Sequence, residues 1–73
     1  MEKRLSNVEE GKKVKIVKFE GCGEVERRLM EMGLVIGSEV MVVNQTYGPV
    51  IVEVNNAKIA IGRGMAQKII VED

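Results

Sequence analysis

Glu20, Cys22, Glu24 and Glu26 are this chain's nearest approach to a metal-ligating set, one thiol among carboxylates within a few residues. With no histidine and no second cysteine in the chain, such a group could hold a divalent cation only weakly and transiently. The plainer reading makes Cys22 a small side chain filling the turn between Gly21 and Gly23, and no dedicated metal site is expected. Catalysis fails on the same inventory. Ser6, Ser38, Thr46, Cys22 and the lysines could act as nucleophiles, but no imidazole is present to activate them. Gly21-Cys22-Gly23 and Gly62-Arg63-Gly64 lack the Lys-Ser/Thr ending of a phosphate-binding loop and read as turns. The chain is therefore expected to be a non-enzyme without a cofactor.

Recognition chemistry remains. Arg27 and Arg28 carry guanidinium groups on a short helix, where Glu24 with Arg28 and Arg27 with Glu31 stand four residues apart, the spacing that lets opposite charges meet. An exposed pair of this kind is worth only ~0.3–0.5 kcal/mol, which leaves the guanidinium free for a partner. Met30, Leu34, Val35 and Ile36 exceed what one narrow helical face can bury. Met41 and Val43 face away from the core side of the following strand, and Tyr47 follows in a turn. Arg27, Arg28, Met30, Leu34, Val35, Met41 and Tyr47 are thus the candidate partner-binding residues. The competing account covers this surface with the N-terminal arm or a second copy in a weak homo-oligomer.

One element must position most of them. Val25, Leu29 and Met32 fall at i, i+4 and i+7, the stripe of an amphipathic helix running from Glu24, with Glu24 and Glu26 complementing its positive end. Gly33 stands where a left-handed residue after the helix is expected, and Leu34 can fold back onto Leu29 as in a Schellman stop. Around this helix the pattern is β. Lys13 to Phe19 opens in strict alternation, Val14 and Ile16 against Lys13 and Lys15. Ser38 to Thr46 is a second strand with Val40 and Val42 inward, and Val50, Val52 and Val54 mark a third. Asn55-Asn56 suits a tight hairpin into Lys58–Ile61. Gly62 to Gln67 reads as a turn with one helical turn, and Lys68 to Glu72 as a closing strand. Residues 1–12, with Leu5 and Val8, read as an arm on the barrel edge.

Five short strands with one helix between the first two predict a mainly β, small antiparallel barrel, because so short and Val-rich a sheet must curl to bury its inner face. At 73 residues, a single domain over residues 1–73 is expected. Eleven basic residues balance eleven acidic ones, and Phe19 and Tyr47 are the sole aromatics. Neither a basic field nor a stacking platform is offered, so nucleic acid is not an expected partner. No run approaches the ~18 apolar residues of a membrane span, and the single thiol fits a reducing compartment, so a cytoplasmic protein not embedded in a membrane is expected.

The order of these landmarks resembles the ferrous iron transport protein A (FeoA) family over nearly the whole chain. Leu5, Val8, Gly11, Val14 and Ile16 follow its opening pattern. Arg27-Arg28-Leu29 running into Met32-Gly33-Leu34 and Gly37 matches its central motif, and Ile59-Ala60-Ile61 with Ala66, Ile69 and Val71 matches its close. Ile36 stands where the family usually has proline, and Gly62-Arg63-Gly64 is richer in glycine than its usual closing turn. The resemblance implies an SH3-like small barrel. It also implies a cytoplasmic accessory of ferrous iron uptake that binds and modulates the cytosolic part of a FeoB-type membrane iron transporter. The alternative is a stand-alone SH3-like regulatory or sensor module, related to the C-terminal domain of iron-dependent repressors, with weak transition-metal or peptide binding.

Overall fold

The computed structural model describes residues 1–21 and 23–73. Six strands form one antiparallel sheet: β1 Glu2–Arg4, β2 Lys13–Phe19, β3 Glu39–Asn44, β4 Val50–Val54, β5 Ala57–Ile61 and β6 Ile69–Glu72, in the spatial order β1-β6-β2-β3-β4-β5. Helix α1, Gly23–Glu31, joins β2 to the β3 segment, and the single-turn α2, Arg63–Ala66, joins β5 to β6. The mainly β class with one short helix between the first two long strands is as expected. The count of five is not, because Glu2–Arg4 is a sixth strand. Three consecutive charged residues carry no alternation, and they become a strand only because the edge of β6 pairs with them, Lys3 against Val71.

Alternation decides which faces are buried. Val14 and Ile16 of β2, Val40 and Val42 of β3, and Val50, Val52 and Val54 of β4 all enter one core with Leu29, Leu34, Ile61, Ile69 and Val71. The arm contributes more than an edge cover, since Leu5 in a 3-10 turn and Val8 beyond it are fully buried there. The residues between Lys13 and Asn44 do not alternate throughout. β2 pairs with β6 as Ile16–Val71 and then Lys18–Ile70, and β3 pairs with β4 as Val42–Val52 and then Asn44–Ile51. Val17 and Val43 are the extra residues of two bulges, which add the local twist a short sheet needs to curl. At the β4–β5 hairpin Asn55 and Asn56 both hold positive φ, 51° and 67°, as a two-residue turn of the primed type requires.

Helix α1 ends as its sequence predicts. Gly33 adopts φ +93°, its N–H donates to the Met30 carbonyl at 2.9 Å, and the Leu34 N–H reaches back to the Leu29 carbonyl at 2.9 Å. These are the two bonds of a Schellman stop, and Leu29 and Leu34 supply its apolar contact inside the core. Four residues on, the Gly37 N–H donates to the Ile16 carbonyl at 2.7 Å and Ser38 accepts from the Ile16 N–H at 2.9 Å. The helix stop therefore sets where β3 begins its pairing with β2.

Candidate functional site

Val25, Leu29 and Met32 fasten α1 to the core, Leu29 fully buried and the other two packed against it. With that stripe inward, Gly23, Glu26, Arg27, Met30 and Glu31 line an open depression of about 530 Å³ on the opposite side. Met30 is 51% exposed, and beyond the stop Val35 and Ile36 are 41% and 57% exposed. Three of the five large exposed apolar side chains among the described residues thus fall within residues 30–36. Apolar area gathered into one rimmed patch has the character of a docking surface, whereas scattered apolar residues do not.

The charges around this patch differ from the expected intrahelical pairs. Among the described residues no ion pair joins Glu24 to Arg28 or Arg27 to Glu31; the ion pairs found are Lys3–Asp73, Arg4–Glu20 and Lys12–Asp73. All four helix side chains are exposed, where water and side-chain entropy cancel most of the Coulombic gain. Arg27 borders the depression. Arg28, about 100° further round the helix, sits on the flank with Glu24.

Leu34 is a correction. Expected on the partner surface, it is fully buried, because the Schellman stop turns the residue after Gly33 back onto Leu29. Met41 is half-buried and lines a separate groove of about 720 Å³ on the outer face of the sheet, with Lys13, Lys15, Glu39 and Glu53. Tyr47, 87% exposed, lies past the far end of β3, and a strand of that length, at ~3.3 Å per residue, spans on the order of 20 Å. Of the seven candidates, Arg27, Met30 and Val35 gather around α1 with Arg28 on their flank, while Met41 and Tyr47 lie elsewhere. Glu26, Glu31 and Ile36 complete the patch. The helical period could have assigned the two glutamates to the rim, since they fall on either side of Arg27 and Met30, the positions opposite Val25, Leu29 and Met32.

Tyr47 has a fixed platform of its own. The Glu10 carboxylate accepts from the Gln45 N–H at 3.0 Å and the Thr46 hydroxyl at 2.7 Å, Asn44 Oδ1 accepts from the Thr46 N–H at 3.1 Å, and the Arg63 guanidinium donates to the Gln45 carbonyl. Arm, loop and α2 are thereby tied together. The Gln45 N–H, then the Thr46 hydroxyl, hold the Glu10 carboxyl below the usual glutamate range. Two other carboxyls are lowered likewise, Glu20 chiefly by its hydrogen bond from Arg4 at 2.6 Å and Asp73 chiefly by that from Lys12 at 3.1 Å. A group whose folded pKa is depressed stabilises the fold above its unfolded pKa and ceases to do so as pH falls through the folded one. The Gln45 and Thr46 amide signals are therefore expected to hold steady above about pH 5 and to shift on acidification below the ordinary glutamate range. Glu10→Gln should abolish that titration, as an NMR pH series would read.

Among the described residues no three Cys, Asp, Glu or His side chains converge to hold an ion. Glu20 is engaged by Arg4, which also donates to the Gln67 carbonyl at 2.5 Å. The reading of Cys22 as turn filler or weak ligand lies outside the described residues. No helix among them is long and apolar enough to cross a membrane.

Comparison with known proteins follows the fold closely. The family described as FeoA domain matches residues 3–73. The chain is 46% identical over 70 residues to "Putative Fe(2+) transport protein A" of Methanocaldococcus jannaschii, covering 94% of this chain and 84% of that protein. The crystal structure of an iron uptake regulatory protein (FeoA) aligns with a TM-score of 0.91 at 32% identity, over 99% of this chain and 96% of that one. A manganese-dependent transcriptional repressor aligns with a TM-score of 0.86 at 19% identity, over 96% of this chain and 40% of that one, which is a likeness of fold. These neighbours bear out the SH3-like architecture expected of the sequence.

Proposed function

The chain belongs to the FeoA domain family, a family of ferrous iron transport, and from that premise we propose that it is a cytoplasmic accessory of Fe(2+) uptake. It docks on the cytosolic region of a FeoB-type transporter and modulates that transporter's activity. The observation that carries the docking surface is the run of exposed apolar side chains on and after α1, Met30 in a depression rimmed by Glu26, Arg27 and Glu31, and Val35 and Ile36 just beyond the helix stop. Apolar anchors surrounded by charges of both signs suit a specific protein partner. A lipid or nucleic-acid surface would call for a net basic face, and the chain's charge is balanced.

Titrating the ¹⁵N-labelled protein with the transporter's cytosolic GTPase region should perturb Arg27, Met30, Val35 and Ile36 together. Met30→Lys keeps a good helix former and places a cation in the last turn, where the dipole favours it. It should weaken docking about tenfold, as expected of an interface anchor, while shifting the melting temperature by no more than about 4 °C. No perturbation at high concentration of either partner would overturn the proposal.

The fold shared with the manganese-dependent repressor favours one second reading, a regulatory module that responds to a transition metal. Saturable perturbation confined to residues 20–26 on Mn(2+) or Fe(2+) titration, with no response to the GTPase region, would select it.

A further inference from the structure

The two edges of the sheet differ in chemistry. β1 is three residues long and all charged, Glu2, Lys3 and Arg4, which discourages further pairing. β5 reads Ala57-Lys58-Ile59-Ala60-Ile61 with one charge, and among the described residues no strand pairs with its outer side. The hairpin fixes the phase of its main-chain groups. Val54 and Ala57 close the two-residue Asn55-Asn56 turn, and such a closing pair is hydrogen-bonded. Ala57, Ile59 and Ile61, opposite Val54, Val52 and Val50, therefore bond to β4. The N–H and C=O groups of Lys58 and Ala60 point outward. The next outward carbonyl along the chain, that of Gly62, accepts from the Ala66 N–H at 2.9 Å.

We propose that a second copy of this chain occupies this edge, β5 against β5, antiparallel about a two-fold axis at Ile59. In that register Lys58 lies opposite Ala60 of the second copy, both carry outward groups, and the two symmetric pairs each exchange both main-chain bonds. Ile59, half-buried against the core, meets its own counterpart at the close spacing of a non-hydrogen-bonded pair. Other registers fare worse. An axis at Lys58 sets ammonium against ammonium, an axis at Ala60 calls on the Gly62 carbonyl already engaged by α2, and odd shifts oppose outward groups to inward ones. The edge is thus self-complementary in both charge and hydrogen-bond phase, as an isologous contact requires. So short an edge buries far less than the ~1,600 Å² of a standard interface, so the dimer is weak and concentration-dependent. It uses none of the α1 residues and is argued independently of transporter docking.

Sedimentation equilibrium from micromolar to millimolar protein tests it. The mass should climb from the 8.1 kDa monomer toward the dimer. Ala60 is exposed, so charge is tolerated there: Ala60→Glu puts a carboxylate opposite Lys58 of the second copy and should lower the dimer Kd by about threefold or more, whereas Ala60→Lys should raise it by a similar factor. Ala60→Pro deletes an outward N–H at an edge position where proline is accepted and should return the chain to monomer, with circular dichroism melts verifying that each variant is folded. Four outcomes would overturn the proposal: a monomer at every concentration, an equal response to either charge, self-association whose NMR shifts map to α1, or a monomer whose β5 amides respond instead to an unrelated extended peptide.

Discussion

Leu34→Ala is expected to lower the melting temperature by on the order of 10–40 °C, and to reduce the proposed transporter docking only through the loss of folded protein. Leu34 is fully buried and contributes to the same core as Leu29, Val40 and Ile69. Truncating a buried leucine removes its transfer free energy and leaves a cavity, together worth ~2–5 kcal/mol. In a domain of this length each kcal/mol moves the midpoint by roughly 4–8 °C. The site is poorly placed to collapse, because the Leu34 N–H is bonded to the Leu29 carbonyl and the helix end cannot slide inward without breaking that stop. Thermal melts of Leu34→Ala and Met30→Lys side by side separate the two roles. The first should lose stability and keep affinity per folded molecule, the second the reverse. A Leu34→Ala protein that melts like the parent but no longer docks would return Leu34 to the surface.

That contrast also shows which features are legible in the amino-acid sequence. Val50, Val52 and Val54 are inward because alternation in a strand flanked by Pro49 and Asn55-Asn56 admits one register, and the buried-to-half-buried alternation of β4 follows it. Gly33 announces a helix end because no other residue type suits a left-handed position so well. Leu34, in contrast, has two readings from sequence, capping contact or exposed anchor, and only the bond from its N–H to the Leu29 carbonyl chooses. Strand β1 and the bulges at Val17 and Val43 are not legible, because each is imposed by the register of a pairing strand: distant β6 on Glu2–Arg4 and Val17, and the neighbouring β4 on Val43. The same holds for Glu10. Its carboxylate fastens residues 45 and 46, a contact across more than thirty positions of sequence that no local pattern encodes. Arg28 and Glu24 have the right spacing to pair yet do not, since spacing permits an exposed ion pair without supplying the free energy to hold it. The grouping of the candidate residues is therefore legible where they lie on one helix and not where it depends on which strand end is near that helix, as the position of Tyr47 shows.

Gly33→Val is expected to destabilise the fold by about 2–3 kcal/mol, through backbone strain with no steric clash. A Cβ built at Gly33 would meet nothing within 4 Å, so crowding is not the obstacle. The obstacle is φ +93°, a conformation costly for any L side chain and most costly for a β-branched one. Relaxing that φ would swing the Gly33 and Leu34 N–H groups off the Met30 and Leu29 carbonyls, both held at 2.9 Å. It would also withdraw Leu34 from the core and shift the start of β3, whose first bonds to Ile16 lie only four residues on. The graded series distinguishes strain from space. Gly33→Asn should be mildest because asparagine tolerates positive φ, Gly33→Ala intermediate and Gly33→Val worst, the last lowering the midpoint by on the order of 10 °C or more. Equal losses for alanine and asparagine would point to crowding, and an unchanged midpoint for valine would mean that this glycine is not what ends the helix. Because Met30, Val35 and Ile36 flank that stop on both sides, the strained variants should also blur the proposed docking patch, linking the glycine that ends α1 to that surface.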